Sequence, residues 1–328
     1  MNDFALAIVT AAFFFLCHCS CLWGKSLRIT TLGRGGIIQS LLCNDHSKMN
    51  KRELEKAIHT KLSRDDDYTA YLQLDALLDA QKPLGDPPHH DEMLFIIQHQ
   101  VAELWIKLLI HEVARAIDYL RDDRLSQAVK NLSRVRHIQS QLYGQWKVLD
   151  TLTPSEYSEF RHVFGKASGL QSPQYRILEF MLGNKSRSTL AVYEHQTDWY
   201  ARLVTALESP SLYEEFLRYL ARIALPVPAA VLERDVSCMR DEDSDVIAVL
   251  RIIYEDRDKY WVEYEMCEAL MDIANNFQFW RFHHMKTVER IIGHKRGTGG
   301  SSGVSFLKKA IEIEFFPELI TVRTELGE

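Results

Sequence analysis

From residue 50 onward, apolar side chains recur every three or four positions, the spacing of helices that bury one side. Over 91–115, Leu94, Ile97, Val101, Leu104 and Leu108 form one such stripe, and Phe95, Ala102, Ile106 and Leu109 widen it. The pattern predicts a buried helix that is apolar around much of its circumference. Asp91 and Glu92 stand at its start, where carboxylates complement the helix dipole, and Glu103 and Lys107 form an i,i+4 pair. Ser172 and Pro173 read as the N-cap and first position of another helix, with Gly183 as its stop. Residues 186–255 hold further helices, broken at Leu225-Pro226-Val227-Pro228, with Asp241-Glu242-Asp243 as a solvated turn. A long helix is predicted over 256–292, its stripe running through Ile273, Phe277, Trp280, Val288 and Ile291. Gly293 to Gly303 holds five of the 15 glycines and is read as a loop, after which 304–321 returns to helical spacing. No internal repeat and no Pro-, Gly- or Ser-rich linker divides the chain. The expected fold is all-α, in a single large domain.

Composition supports this reading. Gly (15) and Pro (9) are scarce for 328 residues, against about 23 and about 16 at average usage. Few helix breakers favour long helices over many short strands. The charge is −6, with 39 Lys+Arg against 45 Asp+Glu, so the chain as a whole has no attraction to nucleic acid or anionic lipid. Of the six cysteines, Cys17, Cys19, Cys21 and Cys43 lie near the N-terminus, leaving Cys238 and Cys267 for the rest. That usage fits a reducing, cytoplasmic compartment.

The first 48 residues differ. Residues 4–17 are apolar except for Thr10, the length of a signal-peptide core and short for a membrane span. The positive flank of a signal is missing: Asp3 is the only charge before the stretch, and Lys25 the first cation after it. A signal, an unusual N-terminal helix and sequence upstream of the true start are the three readings. The third is preferred, with Met49 as the start, because MNKRELEKAIHTKLS resembles an ordinary charged N-terminus. The division is therefore 1–48, an extension, and 49–328, the helical domain. The run Cys17-His18-Cys19-Ser20-Cys21 lacks the C-x2-C spacing of a structural zinc site.

Candidate chemistry is concentrated in a few side chains. His284 falls on the stripe of the long helix, one turn after Trp280, while His283 is rotated about 100° away. A neutral imidazole on an apolar wall suits a haem iron, and equally suits a core histidine bonded to a carbonyl. No C-x-x-C-H is present, which excludes covalent c-type haem. His99 is a second histidine on an apolar face, one turn after Phe95. His89-His90-Asp91-Glu92 points in divergent directions and is read as capping and solvation. Tyr157 and Arg161 share a face if 154–164 is helical, and a phenol beside a guanidinium makes a carboxylate receptor or a surface pair. The glycine-rich loop lacks G-K-[ST] and follows a helix, so it is no Walker A loop. Its backbone N–H groups and the Thr298 hydroxyl suit an anionic or zwitterionic ligand.

Several ordered motifs resemble the tryptophan 2,3-dioxygenase family, its bacterial branch most closely. They are Tyr68-Thr-Ala-Tyr71-Leu72, His90-Asp-Glu-Met-Leu-Phe95-Ile-Ile-Gln-His99-Gln, Glu103-Leu-Trp105, Tyr157-Ser-Glu-Phe-Arg161, Ser168-Gly-Leu-Gln-Ser172, Gln174-Tyr-Arg176, Trp280-Arg-Phe-His-His284, Val288-Glu-Arg290 and Gly297-Thr298-Gly-Gly300. The resemblance spans about Tyr68 to Leu326, and residues 1–48 have no recognised counterpart. It implies an oxidoreductase that inserts O2 across the indole C2–C3 bond of L-tryptophan to give N-formyl-L-kynurenine, the first step of the kynurenine pathway. It implies b-type haem, ferrous in the active form, with His284 as proximal ligand. His99 would orient the indole nitrogen as the catalytic-side histidine and Phe95 would pack on the indole. Arg161 and Tyr157 would bind the carboxylate, and Thr298 the amino-acid end. Tyr68, Tyr71 and Leu72 would complete a neighbouring subunit's pocket in a homotetramer, a dimer of dimers. A membrane or nucleic-acid partner is not expected. His283 stands where many relatives have Arg, Thr69-Ala70 where Gly-Gly is common, and Leu170 where Phe is common. A haem-binding sensor would need His284 but not Arg161, Tyr157 and Thr298 together.

Overall fold

The computed structural model describes residues 54–63 and 67–327. The chain divides into two compact units, residues 1–63 and 64–328. In the first, residues 54–63 pass through a turn and irregular backbone with exposed side chains. The apolar stretch 4–17 and the Cys17–Cys21 run lie outside the described residues.

Among the described residues there is no strand, and the expected all-α class holds. Two short helices, α1 (Tyr68–Leu72) and α2 (Leu74–Leu78), meet at Gln73. The long α3 (His90–Arg121) lies along α4 (Leu125–Gly144), and α4 lies along the equally long α12 (Trp261–Ile292). Between α4 and α12 in sequence come α5 (Trp146–Leu149), α6 (Pro154–Phe160), α7 (Pro173–Met181), α8 (Thr197–Glu208), α9 (Leu212–Arg222), α10 (Ala229–Glu233) and α11 (Ser244–Glu255). After the glycine-rich loop follow α13 (Val304–Ile311) and α14 (Pro317–Glu325), divided ahead of Pro317, so the predicted single segment 304–321 is two helices.

Local signals explain several boundaries. Ser172 caps α7 by accepting from the Tyr175 N–H, Pro173 occupies the first turn, and Gly183 follows the helix at φ 108. Asp243 caps α11, so the acidic run Asp241–Asp243 is the predicted turn. Residues 187–193, in the stretch expected to hold further helices, form a 3-10 helix. The long helix starts at Trp261, five residues later than predicted.

The core lies where α3, α4 and α12 meet, around Leu109, Val113, Leu132, Val135, Leu270 and Ile273. On α12 the predicted stripe is the inner face: Ile273 and Phe277 are buried and Trp280 packs against the same cluster. On α3 the prediction needs correction. Of the stripe read as buried, Ile97 and Leu104 are 44% and 48% exposed while Leu94 and Leu108 pack on core clusters, and the fully buried side is that of Ile106, Leu109, Val113 and Ala116. A helix apolar on all sides carries no sequence signal for which side one chain will cover. By length and composition α3 would also cross a membrane, but it packs on α4, α7 and α9 and buries Glu92, Gln98 and Glu112.

Two polar contacts of α3 also differ from expectation. Glu92 is buried, and its carboxylate accepts from the Leu84 and Gly85 N–H groups at 2.6 and 3.0 Å. It anchors the segment leading into α3 rather than facing solvent. Glu103 accepts from the Gln174 amide at 2.8 Å, joining α3 to α7 instead of pairing with Lys107.

A buried ion pair fixes the register of α12. Arg281 donates to Glu179 at 2.8 Å, to the Tyr175 hydroxyl at 3.1 Å and to the Ile313 carbonyl at 3.1 Å. Those bonds satisfy a guanidinium that burial would otherwise penalise, and they tie α7 and the segment after α13 to the turn of α12 that carries His284.

Candidate active site

His99 and Phe95 sit one turn apart on α3, their rings 4.1 Å apart. Phe95 is the centre of an aromatic group that gathers Phe164 at 4.6 Å, Tyr157 at 5.9 Å and Phe160 at 6.0 Å. Offset and edge-on contacts of this kind are favourable beyond the area they bury. They hold α6 and the turn after it against the first third of α3.

The α6 segment forms because Thr153, Pro154 and Glu156 make a complete helix start. Glu156 N–H donates to the Thr153 hydroxyl at 3.3 Å, and the Glu156 carboxylate accepts from Thr153 N–H at 2.8 Å. The helix ends at Phe160, and Arg161–Phe164 is a 3-10 turn, so 154–164 is not one α-helix. Arg161 N–H still donates to the Tyr157 carbonyl, so the two side chains remain on one face. The guanidinium lies against the Tyr157 hydroxyl, whose pKa burial pushes up and Arg161 draws back. Thr153→Ala is expected to cost about 1 kcal/mol of stability and to weaken ligand binding by loosening Tyr157. Urea unfolding checks it, and an unchanged midpoint would contradict the capping argument.

The glycine-rich loop returns over the same place. Arg161 donates to the Arg296 carbonyl, and Thr298 donates to the Ala167 carbonyl. Glycine is required where the loop is tight: a Cβ on Gly299 would stand 2.7 Å from the Ser168 Cβ. Gly303 combines φ +66 with a Cβ position 2.5 Å from the Lys295 carbonyl oxygen. Arg161, Tyr157 and Thr298 therefore converge on one region from two distant stretches of sequence.

The opposite wall belongs to α12. His284 stacks on Trp146 with centroids 4.9 Å apart and planes 8° from parallel, and Trp280 lies 5.7 Å away. His283 turns aside and meets Tyr143 edge-on at 4.3 Å. Burial, then nearby His99, pushes His284 down to about 4, so its imidazole is neutral at physiological pH. His284 is half-buried on this wall.

His99 is likewise held below its ordinary value, chiefly by burial. Its Nδ1–H donates to the Phe95 carbonyl at 2.7 Å, which leaves Nε2 as the unprotonated, accepting nitrogen. α3 and α12 thus each present a neutral imidazole, with aromatic rings around them and Arg161, Tyr157 and Thr298 beside the Phe95 group. A separate hollow behind Trp280, lined by Leu142, Tyr175 and Phe277, holds about 10 Å³, room for one water at most.

Tyr68, Tyr71 and Leu72 are not brought to this site within the chain. They lie on α1, with Tyr68 and Tyr71 71% and 86% exposed. Sequence reasoning missed Trp146 and Gln98. Trp146 belongs to no periodic stripe or motif, Gln98 lies in the His90–Gln100 motif but was given no role, and the contacts of both are to residues far away in sequence.

A family profile described as Tryptophan 2,3-dioxygenase matches residues 53–211 and 207–326. The tryptophan 2,3-dioxygenase of Serratia proteamaculans (strain 568) is 56% identical over 279 residues, 85% of this chain and 100% of the relative. That of Kineococcus radiotolerans is 54% identical over 278 residues, 85% of this chain and 97% of the relative. That of Arthrobacter sp. (strain FB24) is 52% identical over 279 residues, covering 85% and 98%.

Proposed function

The chain belongs to the tryptophan 2,3-dioxygenase family, and from that premise we infer that it inserts O2 across the indole C2–C3 bond of L-tryptophan, giving N-formyl-L-kynurenine. It is an oxidoreductase of the dioxygenase class, and the reaction opens tryptophan degradation by the kynurenine pathway. The observation that carries this reading is the convergence of His99, Phe95, Tyr157, Arg161 and Thr298 opposite His284.

The donor set fits a b-type haem. His284 is neutral, lies on an aromatic wall and makes no side-chain hydrogen bond to a described residue that would occupy its ring nitrogens. The buried indole N–H groups of Trp146 and Trp280 beside it also have no protein acceptor. Unpaired buried donors call for a partner, and a haem carries carboxylates able to accept. His284 would hold the iron as proximal ligand. The haem, ferrous when active, supplies the O2 chemistry when bound.

The protein's own part is orientation, charge matching and exclusion of water. Phe95 packs on the indole. His99 Nε2, free to accept, takes the indole N–H and sets the ring's position. An indole N–H is a very weak acid, so His99 orients rather than deprotonates. Arg161 and Tyr157 donate to the carboxylate, and Thr298 holds the amino-acid end beneath the loop. The test is to load the protein with haem, reduce it, add L-tryptophan and O2, and follow N-formylkynurenine. A reduced, haem-loaded protein that forms none would refute the reading.

The assembly we propose is a homotetramer, a dimer of dimers, in the cytoplasm. Met93, Ile97 and Leu104 leave an apolar stripe exposed along α3, which supports burial against another subunit. The exposed Tyr68, Tyr71 and Leu72 are suited to completing a neighbour's pocket.

Residues 49–328 are proposed as the enzyme body. A chain starting at Met49 is expected to be soluble, tetrameric and active, since all the quoted motifs follow it. Fractionation, assembly size and turnover of both versions check this. An inactive Met49 chain beside an active full-length chain would make the extension part of the enzyme. Stable membrane association of the full-length protein would defeat the cytoplasmic assignment.

A further inference from the structure

We propose that Trp146 is a positioning residue for His284, setting the plane of its imidazole by parallel stacking. This rests on the reading above, in which His284 ligates the haem iron.

Ligating histidines are commonly oriented by a hydrogen bond from the second ring nitrogen to a carboxylate, a carbonyl or water. No described protein group accepts from His284 here. An indole instead covers one face of its ring, with centroids 4.9 Å apart and planes 8° from parallel. Trp280 is tilted at 42° and lies farther away, at 5.7 Å, so it bounds the ring without setting its plane. A flat neighbour in a nearly parallel plane resists rotation of the imidazole about its Cβ–Cγ bond, because turning the ring drives its edge into the indole.

Trp146 can do this only if it is itself fixed, and it is clamped from both sides. The residue before it offers its carbonyl to the Gln98 amide of α3 at 3.0 Å. Asp150, just after α5, accepts from the Thr287 hydroxyl, one turn beyond His284 on α12. Thr287 is buried, as is Trp146. The four-residue helix α5 is therefore tied to the His99 helix at one end and to the His284 helix at the other. The indole ring has few alternatives to the face of His284.

Stacking has an electronic consequence as well as a steric one. The face of an indole is electron-rich, and an imidazole that has given its lone pair to a metal is electron-poor, so the pair is strengthened when the ligand bond forms. Trp146 should therefore influence the iron–histidine bond, beyond filling volume in the core.

The test compares Trp146→Phe and Trp146→Leu with the parent chain, each as the full-length protein with haem. The readouts are the haem dissociation constant, the iron–histidine stretching band of the ferrous protein, and the ferric electron paramagnetic resonance spectrum. Phe keeps a flat ring and is expected to retain the parent band and line shape. Leu keeps apolar volume without a face. It is expected to weaken haem binding about three- to tenfold, the equivalent of one aromatic pair, and to shift or broaden both spectra. Thermal unfolding of the haem-free proteins separates a general loss of packing, which would lower stability without moving the spectra of the haem-bound fraction. Unchanged spectra in Trp146→Leu would overturn the inference while leaving His284 as ligand. An iron–histidine band that persists in His284→Ala would instead overturn the ligand assignment on which it rests.

Discussion

His284→Ala is expected to lose most of its bound haem, while His283→Ala retains it. The two histidines are adjacent, but the helix separates them by about 100°. His284 faces the aromatic wall of Trp146 and Trp280, and His283 meets Tyr143 on α4. Arg281 fixes this register, because its three buried bonds cannot be kept if α12 rotates to present His283. An imidazole that burial keeps neutral offers its lone pair without first giving up a proton, so its ligand bond is not opposed by acid at physiological pH. The measurement is Soret absorbance per protein after gel filtration. Added imidazole should partly restore it in His284→Ala, since truncation leaves room for a free ring. Equal loss in both variants, or a full complement of haem in His284→Ala, would overturn the assignment.

How far the sequence shows this site depends on which forces place each residue. The period puts His284 on the inner stripe of α12 and Phe95 one turn from His99, while the roles expected of these residues come from the family resemblance and not from the period. Trp280 to His284 and Phe95 to His99 are single helical turns, and the structure puts both pairs in contact. Arg161 is legible only in part. The i,i+4 spacing to Tyr157 holds, but the helix tightens to a 3-10 turn at Arg161, which no residue there announces. The bond from Arg161 to the Arg296 carbonyl crosses 135 positions and is invisible to any local pattern.

The outer face of α3 shows a different limit. Ile97 and Leu104 have the same spacing as core residues, and hydrophobic periodicity reports only that a surface avoids water. Whether the same chain or another covers it is decided by topology. Trp146 was missed for a related reason: its role comes from α5 being clamped between two long helices, through Gln98 and Thr287, and not from its own neighbours.

Arg161→Ala is expected to weaken L-tryptophan binding about 10- to 100-fold without removing haem. A hydrogen bond to a charged group contributes about 1.5–3 kcal/mol, and each 1.4 kcal/mol is about tenfold in affinity. Arg161 is half-buried, so water can partly replace it and the lower part of that range applies. Arg161→Lys should recover only part of the loss, because an ammonium is a point charge and cannot make the forked contact of a guanidinium. The variant also removes the bond to the Arg296 carbonyl, so a freed loop is a second route to lower affinity. Tryptamine, which lacks the carboxylate, separates the two. If Arg161 acts on the carboxylate, tryptamine should bind the parent weakly and lose little more in Arg161→Ala. If the loss came from the loop alone, tryptamine and tryptophan would weaken by the same factor, and the carboxylate-receptor role would fail. Spectral titration of the haem-loaded proteins gives both affinities directly, without relying on KM to report binding.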